Sequence, residues 1–152
     1  MLIPLNFPKI DIKLTKKNDE IYVWDIFRNK RLLVTPEEWV RQHVLHFFVN
    51  HKNVPKSLIA SEFSINVNKL SRRCDGVVFS REGNPLAIIE CKAPNINLTE
   101  HVFHQVAQYN FNLKVKWLIL TNGLTTVVAF INLDDKSLDF KEEIPSYEEL
   151  SE

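Results

Sequence analysis

Polar and apolar positions change period several times along the chain, and each change marks an element. Ile10-Asp11-Ile12-Lys13-Leu14 and Ile21-Tyr22-Val23-Trp24 alternate, and the polar run 15–20 between them predicts a hairpin. Residues 25–31 read as a connector with a basic tip. Spacing turns helical at Thr35-Pro36-Glu37-Glu38, where Thr35 can cap, Pro36 suits the first position and Glu38 completes a capping box. Val40, Val44, Phe47 and Phe48 then form a core-facing stripe until about Asn50. Residues 57–65 read as a strand and 66–71 as a polar link. Runs 76–80 and 86–92 read as two strands around the turn formers Glu82-Gly83-Asn84-Pro85. Ala93-Pro94-Asn95 stops the second. A helix is expected over 98–113, with Val102, Phe103, Val106, Tyr109 and Leu113 as its buried stripe. Residues 116–121 are continuously apolar, as in a strand buried on both faces. Asn122-Gly123 turns, 125–132 returns as a strand, and an acidic tail follows Asp134 with a short helical end at 147–150.

With 152 residues, 45% of them hydrophobic, the chain is long enough for one domain with a substantial core. The expected division is an N-terminal β extension (1–34), a core (35–132) and an acidic tail (133–152). The formal net charge is zero, which weighs against a protein that lives by non-specific phosphate attraction. Arg28, Lys30, Arg31, Arg41, Arg72 and Arg73 are the cations a local basic face would use. For residues 25–31 the plain reading, a solvated loop, outweighs a phosphate contact. No apolar run approaches membrane-span length and no signal pattern opens the chain, so no membrane association and a cytoplasmic location are expected. Cys74 and Cys91 lie on neighbouring predicted strands, and two reduced, buried thiols are the expectation. His43 and His46 lack further ligands for zinc and read as surface or half-buried histidines, with His51 just past the helix.

The chemistry concentrates between Arg72 and Lys92. Side chains alternate along a strand, so Glu90 and Lys92 share a face while Cys91 takes the other, and a hairpin can bring Asp75 alongside. Two carboxylates and a lysine converging at strand ends are poor core material unless paired or holding a metal. They suit Mg²⁺, which takes a few carboxylates and completes its shell with water and phosphate. The plain alternative is a Glu90–Lys92 salt bridge at a strand edge, with Asp75 as a turn acid. Glu62 is an acid within an apolar run, balanced between the site and the solvent face. Glu37 and Glu38 already serve the positive end of a helix.

Asp75, Glu90-Cys91-Lys92 and the later Gln105-Val106-Ala107-Gln108-Tyr109 resemble the PD-(D/E)XK nuclease superfamily, and within it the N-terminal domain of type I restriction enzyme R subunits. The resemblance runs from about residue 35 to 130. Cys74 stands where that family often has proline, a residue that shapes the strand entry and does no chemistry. The resemblance implies an α/β fold with a restriction-endonuclease-like αβββαβ core, a mixed central sheet flanked by helices. It implies Mg²⁺-dependent hydrolysis of DNA, with Mn²⁺ able to substitute. Asp75, Glu90 and the Cys91 backbone carbonyl would be metal ligands, Lys92 would orient or activate the water, and Gln105 would meet the phosphate or a metal-bound water with Tyr109 in support. Glu38 and Glu62 are secondary ligand candidates, and Arg72, Arg73 and Arg41 are candidate DNA contacts. DNA and other restriction-system or repair subunits are the implied partners. No Gly-x-x-x-x-Gly-Lys motor loop is present, so the chain either acts alone or borrows DNA affinity from a partner; neutral charge favours the second. Two rival functions are a catalytically silent nuclease-fold module for DNA docking or assembly, and a hydrolase of another phosphoester.

Overall fold

A computed structural model describes residues 2–152. The N-terminal part forms a three-stranded antiparallel sheet of β1 (Leu14–Lys17), β2 (Glu20–Asp25) and β3 (Lys30–Leu33). The expected hairpin exists but is shifted. The polar run is itself strand, and the turn falls at Asn18-Asp19, both with positive φ (53° and 65°), a conformation Asn and Asp tolerate. The connector after Asp25 becomes a tight turn into β3, a third strand that alternation alone had not marked.

Helix α1 spans Pro36–His51, and the Thr35 hydroxyl accepts the Glu38 amide at 3.0 Å. Half of the expected capping box is therefore present. The Glu38 carboxylate goes instead to Arg28, Arg41 and Gln42. After a 3₁₀ turn, β4 (Ile59–Val67) and β5 (Leu70–Phe79) form one long hairpin, so the expected link at 66–71 is strand with its turn at Asn68-Lys69. β6 (Pro85–Cys91), α2 (Glu100–Leu113), β7 (Trp117–Thr121), β8 (Thr126–Ile131), β9 (Leu138–Lys141) and α3 (Tyr147–Ser151) follow. The six strands β4 to β9 pair in chain order. All their pairings are antiparallel except β6–β7, where α2 is the crossover that a parallel connection needs. The order α1, β4, β5, β6, α2, β7 is the αβββαβ core expected. β9 was not foreseen, because its exposed sequence carries no apolar run.

The central sheet is covered on both faces. Trp117 and Ile119 face α1 and pack with Val40, Val44, Leu45, Phe48 and Ile89. Leu118 and Leu120 face α2 and pack with Phe103, Val106 and Ala107. This two-sided burial is why β7 reads as an unbroken apolar run. Gly76 lies where α1 comes close: a Cβ there would stand 2.8 Å from Leu45 Cδ2. Among the described residues no helix is long and apolar enough to cross a membrane. His43 and His46 are more buried than expected, at 6% and 4% exposure, and burial lowers both their pKa values.

One polar core residue escaped the sequence reading. Asn110 is fully buried, and its amide donates to the carbonyls of Val115 (3.1 Å) and Trp117 (2.9 Å), splicing the end of α2 to the start of β7. Asn110→Ala leaves those acceptors unpaired and should lower the unfolding free energy by about 2–4 kcal/mol in urea melts. A loss under 0.5 kcal/mol would show that water replaces the amide.

Candidate active site

Asp75 lies in the middle of β5, not at its start, and the sheet is irregular on both sides of it. The β5–β6 ladder runs from Phe79 opposite Pro85 to Gly76 opposite Ile89 and ends there. Beyond that point the strands part, and the Asp75 carboxylate enters the fork: its Oδ2 accepts the Cys91 backbone N–H at 2.7 Å. On the β4 side, the pairs Ser61–Gly76 and Phe63–Cys74 flank an unpaired position. There Glu62 adopts φ 50°, a strained conformation for a side chain of this kind. The strain turns the Glu62 carboxylate into the site, where it meets Arg28 at 3.0 Å, Arg41 at 3.1 Å and Arg73.

Arg41 sits at the centre. Its guanidinium reaches Glu38 (2.5 Å), Asp75 Oδ1 (2.8 Å) and Glu62, and these carboxylates hold its charge more firmly than usual. Arg28, on the β2–β3 turn, bonds both Glu38 oxygens at 2.8 Å and also the fully buried Asp25. Gln42 donates to Glu38 at 3.0 Å. The N-terminal sheet, α1, β4 and β5 are thus clamped through one buried ion-pair lattice.

This corrects two expectations. Arg41 is 6% exposed with its guanidinium taken up by carboxylates, so it offers no free face to a DNA phosphate. Arg28 braces the core in place of a solvated tip. Glu38 is likewise saturated by Arg28, Arg41 and Gln42. The lattice was partly legible as Glu38–Arg41 and Glu38–Gln42 at i,i+3 and i,i+4 on a helix, but nothing local tied Asp25 and Arg28 to it.

Glu90 is 6% exposed beside Asp75. Burial and the neighbouring Asp75 charge push its pKa up to about 8, and the Arg72 and Lys92 cations offset only part of that. Arg72 stands 3.3 Å from Glu90 Oε1 as an ion pair, yet that oxygen is buried without a hydrogen-bond partner. Glu90 therefore pairs with Arg72, and the Glu90–Lys92 bridge of the plain reading is not formed. The Arg72 guanidinium also lies 4.0 Å from the Tyr109 ring centroid. Tyr109, expected in the buried stripe of α2, is 41% exposed and covers Arg72. Gln105 lies one turn earlier, exposed, and makes no side-chain hydrogen bond among the described residues. Lys92 is half-buried and its backbone N–H donates to Thr121 at 2.9 Å. Arg73 has the most exposed of the arginine side chains at the site, 67%. Cys74 and Cys91 are free and buried, as expected; Cys74 is pushed up to about 12 by burial and by Glu90.

Asp75, Glu90, Lys92, Arg41, Arg72 and Glu62 line one open recess of ≈ 310 Å³. Among the described residues no three His, Cys, Asp or Glu side chains converge as a ready-made metal cage. Two close carboxylates, one with an unpartnered buried oxygen, do meet the modest demand of Mg²⁺.

A carboxyl whose folded pKa is raised favours the folded state while protonated. That contribution is whole below the ordinary 4.5 and is lost as pH rises through about 8. In chelator, wild-type melting temperature should fall across this window, and Glu90→Gln should flatten the fall. A wild-type profile as flat as the variant's would refute the buried, proton-holding Glu90.

No curated protein matches the chain. Among solved structures, a fragment described as an HsdR subunit of a type I restriction enzyme from Vibrio vulnificus shares the fold, with a TM-score of 0.54 at 17% identity over 77% of this chain. The match covers 24% of that protein, so this chain corresponds to a minor part of it. The pattern of the family described as type I restriction enzyme R protein N terminus matches residues 36–145, from the start of α1 to just before α3. The chain belongs to that family of R-protein N-termini.

Proposed function

We propose that this domain is a Mg²⁺-dependent DNA endonuclease of the PD-(D/E)XK type, serving a restriction system alongside other subunits. The observation that carries the reading is the pairing of Asp75 with Glu90, whose buried Oε1 lacks a hydrogen-bond partner, beside Lys92 in one recess. Each acid has an arginine beside it, Arg41 for Asp75 and Arg72 for Glu90, yet Glu90 Oε1 is left without a hydrogen bond that a divalent cation would supply. Asp75 and Glu90 would hold the ion, with the Cys91 carbonyl as a third oxygen. When bound, Mg²⁺ would neutralise charge growing on the phosphate and lower the pKa of coordinated water.

The residues of the chain do the rest. Asp75 is oriented by the Cys91 amide on Oδ2 and by Arg41 on Oδ1, and a bound ion would share or displace Arg41 at Oδ1. Lys92 reaches the recess from the end of β6, where it orients the attacking water and meets a phosphate oxygen. Arg72, held flat by Tyr109, offers a second cation to the scissile phosphate once Glu90 is engaged. Arg73, exposed on the recess lining, and Gln105, exposed on α2 one turn before Tyr109, would serve backbone contacts.

The engagement of Asp75 by Arg41 also favours the rival reading, a silent module for DNA docking or assembly, because the guanidinium already satisfies that acid. Cleavage of supercoiled and linear DNA with Mg²⁺ or Mn²⁺ separates the two. Cutting that requires the metal and is abolished by chelator supports the nuclease. A folded protein that cuts nothing in either metal, alone or with the other subunits of the system, overturns it.

A further inference from the structure

The outward face of the N-terminal sheet has no role in the acid site. Cross-strand neighbours share a face, and the pairs Thr15–Tyr22, Lys17–Glu20, Tyr22–Leu33 and Trp24–Arg31 fix which residues lie together. The opposite face carries Val23 and Asp25, both fully buried against the body. Outward, therefore, stand Lys13, Thr15, Lys17, Tyr22, Trp24 and Arg31, with Glu20 opposite Lys17 and Leu33 opposite Tyr22. Lys13 adjoins Trp24 through its carbonyl, which accepts the Trp24 N–H at 3.0 Å. Lys13, Thr15, Trp24 and Arg31 enclose a recess of ≈ 470 Å³, larger than that of the acid site, and Trp24 is 44% exposed within it.

Charge is segregated here although the chain is neutral. On this face Lys13, Lys17 and Arg31 stand against Glu20, which lies directly across from Lys17 at the hairpin end. A protein partner would be met by a face poor in lysine. Flat aromatic surface set among lysines and arginine matches an unstacked base flanked by phosphates, whereas a duplex keeps its base faces hidden.

We propose that this sheet binds single-stranded nucleic acid, one base stacking on Trp24 with Lys13, Lys17 and Arg31 on the adjoining phosphates. The β2–β3 turn that Arg28 ties to Glu38 and Glu62 connects this face to the wall of the acid recess. The binding does not depend on the nuclease reading.

The test is anisotropy of labelled oligothymidylate, about twelve nucleotides long, titrated with the full chain in EDTA, where metal-dependent cutting is absent. Trp24→Ala should weaken binding about tenfold and Trp24→Phe much less. Lys13→Glu with Arg31→Glu should weaken binding and flatten the salt dependence by about 1.4 in log–log slope. Thermal melts confirm folding, and should Trp24→Ala melt early, the charge-reversal variant decides. The proposal is overturned if the wild type does not bind, if Trp24→Ala binds as well as wild type, or if a duplex of equal length binds as tightly.

Discussion

Lys92→Ala should lose metal-dependent DNA cutting by about 10²–10⁴-fold, the range for a group that positions or activates a reacting water, while melting close to the wild-type temperature. The two halves of this result come from different atoms of the residue. The backbone N–H of Lys92 closes the β6–β7 register on Thr121, and alanine keeps it. The ammonium forms no ion pair among the described residues, so its removal leaves no partner stranded. What alanine takes away is a cation beside two acids. Glu90, already raised to about 8, would rise further without it. A metal would then have to displace a proton held more tightly, so raising the pH or the Mn²⁺ concentration should restore part of the metal binding without restoring turnover. Equal cutting by wild type and variant would mean a contaminating nuclease or a site placed elsewhere. An early-melting variant would mean that Lys92 is structural after all.

The elements that set the fold were legible because their signals are local. Helix α1 announced itself by Thr35 and Pro36, and β7 by the unbroken apolar run Trp117-Leu118-Ile119-Leu120. The pairing of Asp75 with Glu90 was also foreseeable, since alternation along β6 and one hairpin are enough to bring them together. What could not be read was the company they keep. Glu62 enters the site only because φ turns positive at one position of β4, a strained choice that tertiary ion pairing stabilises and no pattern announces. Tyr109 sits at a helical spacing that suits a core stripe, yet its ring stays 41% exposed and lies against the Arg72 guanidinium instead. Arg41 looked like a surface cation because arginine usually is one. Its burial depends on carboxylates contributed from β4 and β5, far along the chain.

That burial gives the second large effect. Arg41→Met should destabilise the domain by about 3–5 kcal/mol, because removing one member of a buried ion-pair lattice leaves the others uncompensated. Glu38, Glu62 and Asp75 would then face one another with only Arg28, on Glu38 and Glu62, and exposed Arg73, on Glu62, as ion-pair partners. For a chain of this size the fall in melting temperature is about 10 °C or more. Arg41→Lys should lie between, since one ammonium cannot span three carboxylates as a planar fork does. The same substitution bears on the metal. Arg41 now occupies Asp75 Oδ1, so a divalent ion competes with it for that oxygen. Mg²⁺ should accordingly stabilise Arg41→Met more than it stabilises the wild type, the difference rising with metal concentration and levelling off at RT times the logarithm of the ratio of the two dissociation constants. Equal stabilisation of both by Mg²⁺ would place the ion away from Asp75. A variant melting within about 2 °C of wild type would show that the lattice carries far less energy than buried pairs of this kind do. If both halves hold, Arg41 keeps Asp75 oriented while the metal is away, then yields one oxygen when it arrives.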